Sequence, residues 1–175
     1  MNSVTRDMQI LLVRELQAFA REVEMFPDDA SVWRMLPGVT NSAGTLALHV
    51  CGNLQHYVGH VLGGTNYVRH RELEFSQRAG TRAELVRAMH ETVAVVEHVL
   101  PRVSEEMLSR DYPEQVGGCT INTRLFLSHL SVHLAYHLGQ AGYVRRVVTG
   151  DSRSSGAIAL KSLTVDPEAG RPSPG

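Results

Sequence analysis

Three histidines, His129, His133 and His137, recur at four-residue intervals inside the otherwise apolar stretch "HLSVHLAYHLGQ". Imidazole contributes little to packing, but it is the commonest neutral metal ligand and the side chain best suited to proton transfer near pH 7. On a helix, side chains four apart sit one turn up and about 40° round, with Cβ atoms roughly 5–6 Å apart. Two such rings can turn nitrogens toward one ion at about 2.0–2.1 Å. Both His129/His133 and His133/His137 have this spacing. All three cannot easily share one ion, because His129 and His137 stand about 12 Å apart along the axis.

Two ligands hold a metal weakly, so a third is expected from another segment. The stretch "LHVCGNLQHYVGH" offers His49, Asn53, His56 and His60, which project within roughly 60° of one another on a helix. His49 heads this seam and is the first candidate, with His56 behind it. Three neutral imidazoles leave coordination positions for water or substrate, the arrangement of a catalytic rather than a structural site. Asn53 and Gln140 read equally as groups that orient ligands or bind a cofactor and as interhelical hydrogen-bonding residues. His56, His129 and Tyr136 are the candidate proton carriers, and no Glu or Asp stands beside the candidate ligands to act as base. Cys51 projects about 160° away from His49 and is not expected at the ion. His70, His90 and His98 lack partners of this kind and read as solvated. Half-buried histidines that merely bond to one another or to Tyr136 are the competing account of the same pattern.

Positioning these groups requires helices. The chain has 175 residues, 43% hydrophobic and 20% charged, which fits one globular domain with a substantial core. Four segments carry helical periodicity: about Ser3 to Phe26, Ser42 to Leu62, Thr81 to Leu100, and Thr120–Thr123 to Thr149. Asn41 or Ser42 is the expected cap of the second, and Thr81 with Glu84 forms a capping box at the third. Pro27, Gly63-Gly64, Pro101 and Gly150 supply the stops. Four amphipathic segments of matched length predict an all-α four-helix bundle over residues 1–150. The connections Pro27 to Asn41, Gly63 to Gly80 and Arg102 to Cys119 are long enough to leave its topology open. Residues 151–175, ending "DPEAGRPSPG", are expected to form a flexible tail in which "AIALKSL" is a short docking element. Arg145 and Arg146 read as complements to the dipole of the last helix, with anion binding as the alternative.

With 17 basic and 18 acidic residues the net charge is −1, and no basic face for nucleic acid is evident. No apolar run reaches the length of a membrane span, and charges interrupt the N-terminal segment. Cys51 and Cys119 form no disulfide framework, so a reduced, cytoplasmic setting is expected.

The segment "HLSVHLAYHLGQAGYVRR" resembles the last helix of the DinB-like (DinB/YfiT) superfamily, in which H-x-x-x-H-x-G-Q closes a metal-carrying four-helix bundle. "SVWRMLPGVTNSAGTLALHVCGNLQHYVGHVLGG" is similar to the region leading into that superfamily's second helix, including its Asn-Ser start and His-x-x-x-Asn. The similarity extends from about residue 5 to 150. It implies that His49, His133 and His137 bind a divalent ion, zinc or nickel, with His129 a turn away as a pocket residue. It implies an up-down-down-up bundle that pairs as a homodimer. Some members resemble low-molecular-weight thiol transferases using mycothiol or bacillithiol, and others are metal-dependent hydrolases or isomerases. Thiol-dependent S-transfer or detoxification is therefore the expected activity. Metal-dependent hydrolysis is the runner-up, and a non-enzymatic metal-binding stress-response module the third reading.

Overall fold

In a computed structural model that describes residues 2–163, the chain is helical, with no strand among the described residues. Six α-helices follow in order: α1 Ser3–Glu24, α2 Ala43–Leu54, α3 Arg71–Ser76, α4 Arg82–Val99, α5 Glu105–Ser109 and α6 Thr123–Thr149. Two isolated backbone bridges, Asp111 with Asn122 and Val116 with Cys119, close the loop before α6.

The long helices begin where side chains satisfy free backbone N–H groups. The Asn2 side chain accepts from the Thr5 amide at 2.9 Å, Ser42 from the Thr45 amide at 3.1 Å, and Asn122 from the amides of Arg124 and Leu125. Thr81 and Glu84 form the reciprocal capping box expected of them. Gly150, at φ 71°, ends α6 in the left-handed conformation that glycine adopts without steric cost. The first helix stops at Glu24, two residues short of the expected Phe26.

Three departures from the expected organisation bear on the site. The second helix reaches Leu62 but changes winding, running as a π-helix over Gln55–Leu62. In that stretch Gly59 and Gly63 face Val95 and Val99 of α4 so closely that an added Cβ would stand 2.9 and 2.4 Å from them. The connections 63–80 and 102–119, expected as plain crossings, each carry a short helix, α3 and α5.

α1 packs against α4 and α6, and α2 packs against the same two helices. The core between them contains Leu12, Leu16 and Phe19 of α1, Leu46 and Val50 of α2, Met89 and Val96 of α4, and Leu127, Leu130 and Leu134 of α6. This burial of apolar surface is the main force holding the helices together. Between α2 and α6, His49 meets His133 and His137, and Tyr57 of the following π-helical stretch meets Phe126 of α6 with ring centroids 4.9 Å apart.

Arg145 overturns both readings given to it. It is wholly buried, and its guanidinium donates to the Glu22 carboxylate of α1 and to the backbone carbonyls of Asp151 and Arg153. A fixed-charge guanidinium inside a core requires such partners, and Glu22 lies too far along the chain to have been anticipated. Arg146 is half-buried beside the Tyr143 ring. Beyond Gly150, the Ser155 carbonyl accepts from Arg21 at 2.7 Å, and Ala157 packs on the core while Ile158 and Leu160 are exposed. The end of the expected tail, residues 164–175, lies outside the described residues.

Candidate metal centre

His133 and His137 stand one turn apart on α6, at the edge of the ridge that buries Leu130, Leu134 and Leu138. His49 comes from α2, 84 positions earlier than His133. The Nε2 atoms of His49 and His133 are 3.2 Å apart, and those of His137 and His133 are 3.1 Å apart. One ligand atom from each of the three residues lies within 4.8 Å of the others. Ligands about 2.0–2.1 Å from a tetrahedral ion are separated by roughly 3.3 Å. The cluster therefore has the dimensions to hold a metal ion.

The outer nitrogens of two rings are occupied, which leaves their inner nitrogens free. His137 Nδ1 bonds to Gln140 Oε1 at 2.8 Å; a carbonyl oxygen only accepts, so Nδ1 carries the proton and Nε2 presents its lone pair. Gln140 also lines a cavity of about 310 Å³ with Thr40, Asn41 and Tyr143. His49 Nδ1 bonds to Glu74 Oε2 at 2.9 Å. Burial, followed by the neighbouring His137, His49, His129 and Arg69, lowers His133 from its ordinary 6.5 to about 3, so this ring is neutral at physiological pH. Burial likewise lowers His137, against the opposing hydrogen bond that it donates to Gln140. Neutral imidazoles are the form that binds cations.

Glu74 corrects the expectation that no acidic residue stands beside these histidines. It is buried, on the short helix α3, and Arg69 grips its two oxygens at 2.7 and 2.8 Å. Burial raises its pKa, but the Arg69 and His49 hydrogen bonds outweigh that cost and hold the carboxyl below its ordinary range. With both oxygens engaged, it is not placed to act as a free base.

The remaining predicted residues divide around the cluster. Asn53, one turn beyond His49, is buried, and its Oδ1 atom has no hydrogen-bond partner. His129 is exposed and stacks on His133 with centroids 5.9 Å apart. Tyr136 is 62% exposed, its ring 5.2 Å from that of His137. His56 and His60 lie in the π-helical stretch and take no part in the cluster: His56 Nε2 meets Glu114 Oε1 at 2.9 Å, and His60 Nδ1 meets the Thr65 carbonyl at 2.6 Å. Cys51 is buried, its thiol pushed up to about 12 mainly by desolvation, and it takes no part in the cluster. His70, His90 and His98 are exposed, in keeping with their expected solvation. Sequence reasoning missed Arg69, Glu74 and Glu114; the acidic-basic run "RHRELE" was the visible signal for the first two.

A family model described as "Protein of unknown function (DUF1572)" matches residues 4–161, and the chain belongs to that family. No curated protein matches it.

Proposed function

We propose that this protein is a metal-dependent enzyme of the DinB-like superfamily, with a zinc or nickel ion held by His49, His133 and His137, that transfers electrophilic groups to a low-molecular-weight thiol. The observation that carries this reading is the convergence of three imidazole nitrogens beside a carboxylate that is already fully engaged. A divalent ion bound there lowers the pKa of a bound thiol or water, or polarises a carbonyl. Thiolate formation of this kind needs no free carboxylate base. Around the ion, Gln140 and Glu74 orient ligand rings, Asn53 offers an unpartnered acceptor, and His129 and Tyr136 are exposed groups able to carry protons.

The pairings of α1 with α4 and α6, and of α2 with the same helices, support an up-down-down-up four-helix bundle. An exposed uncharged stripe on α6, Leu125, Val132, Tyr136, Tyr143 and Val147, supports pairing with a second copy as a homodimer. Free Cys51 and Cys119 support residence in the cytoplasm.

The deciding experiment measures metal content after chelator-free purification, then turnover of electrophiles with mycothiol, bacillithiol or glutathione. Thiol-dependent turnover that disappears in His133→Ala is the expected result. Full metal loading without thiol-dependent turnover would overturn the transferase reading. Metal-assisted hydrolysis is the second reading, favoured by the partly exposed His56–Glu114 pair as its general base. Full loading with neither activity would leave the non-enzymatic module.

A further inference from the structure

His49 is the only cluster ligand contributed by α2, and its outer nitrogen faces two charged groups. Glu74 Oε2 lies 2.9 Å from Nδ1, and a guanidinium nitrogen of Arg69 lies 3.5 Å from it. The guanidinium can only donate, whereas the carboxylate can only accept. The shorter contact, with a charged acceptor, decides the tautomer: Nδ1 bears the proton, and Nε2 keeps its lone pair for the cluster.

The surroundings are built for this contact. Arg69 grips Glu74 through two parallel hydrogen bonds at 2.7 and 2.8 Å while lying over the Tyr57 ring at 5.6 Å. Phe75, adjacent to Glu74, packs on the His49 ring at 4.7 Å. Gly52, one turn along from His49, leaves the space the carboxylate occupies, since a Cβ there would stand 2.2 Å from Glu74 Oε1. Burying this charge pair carries a desolvation cost that apolar residues of similar volume would avoid. Its location on the outer nitrogen of one candidate ligand accounts for its presence.

We propose that Glu74, locked by Arg69, is a positioning residue of the metal centre, holding His49 as the Nδ1–H tautomer and aiming Nε2 at His133 and His137. The crossover between α2 and α4 is then part of the centre. This inference rests on the metal-binding reading above, but its structural half can be tested without an ion.

Two measurements on the full-length protein separate the two ideas. Imidazole ¹⁵N spectra of the metal-free wild type report the His49 tautomer directly; Nδ1–H is expected, and Nε2–H would overturn the proposal. Cobalt(II) and zinc(II) affinities, by chelator competition, are then compared for wild type, Glu74→Gln and Gly52→Ala. One ion per wild-type chain is expected, with affinity about 10–100-fold weaker in each variant. The cobalt absorption bands should shift while far-ultraviolet helicity stays unchanged. Glu74→Gln binding both ions within twofold of wild type, with unaltered bands, would overturn the positioning role while leaving the metal reading intact. Wild type that binds no ion but shows His49 as Nδ1–H would overturn both the metal reading and the role at a metal centre, leaving only the tautomer lock.

Discussion

His133 sits between two imidazoles, each presenting an inner nitrogen about 3 Å away. The ring is displaced from its ordinary 6.5 to about 3 chiefly by burial, so the folded protein resists protonating it. Between those values the unfolded chain binds more protons at this group than the native state, and stability rises with pH. Its contribution is thus fully present above about pH 6.5 and is lost progressively as pH falls toward 3. The melting temperature of the metal-free protein should decline across that interval, and His133→Leu should flatten the decline, as measured by calorimetry. Removing His133 or His137 by substitution to alanine should abolish stoichiometric metal, read by elemental analysis, because the remaining pair binds weakly. His129→Ala should leave the metal content unchanged. The candidate ligands were legible because regular helices convert sequence spacing into angle, and the family resemblance selected among the possible pairs. Glu74 was not legible, because its approach to His49 depends on how a crossover folds back over α2.

At the level of elements, helix starts and stops followed local chemistry, and local chemistry is what sequence displays. Ser42, Thr81, Glu84 and Gly150 each act on backbone groups within a few residues of themselves. The short helix α3 differs, since six residues are too few for independent stability and its order comes from docking. The π-winding of Gln55–Leu62 also had no distinct signature; of the glycines that accompany it, Gly63 read as a plain stop and Gly59 carried no reading of its own. Replacing Gly63 by valine should drive a side chain into Val99 and separate α2 from α4. A loss of about 1–3 kcal/mol in denaturant-measured stability is expected, as for other overpacked sites. Gly64→Ala, where space is open but φ is 67°, should cost only about 1 kcal/mol through backbone strain.

Across the whole molecule, the candidate centre ties α2 to α6, two segments brought together only by the finished fold. An ion bound there recognises the native chain and not the unfolded one, so binding and folding are linked. At a free zinc concentration one hundred times the dissociation constant, the native state should gain about 2.7 kcal/mol. For a domain of this size that corresponds to a rise of about 5–10 °C in melting temperature. A calorimetric titration checks the value, and His49→Ala should remove the rise. The all-α class was legible from the recurrence of apolar positions, because burying one stripe per helix admits few other arrangements. Arg145 was not, because a cation near a helix end usually lies in water, and the partners that permit its burial, Glu22 and the carbonyls past Gly150, are brought to it only by the fold.

That partnership alters what the finish of the last helix means. Gly150 closes the helix, yet the guanidinium of Arg145, four residues before the terminal threonine, still depends on carbonyls supplied by Asp151 and Arg153. Trimming the polypeptide at the glycine would strip two acceptors from a permanently ionised group. Each forfeited partner should cost about 1–3 kcal/mol, so the shortest version that survives heating as well as its parent must reach past Arg153.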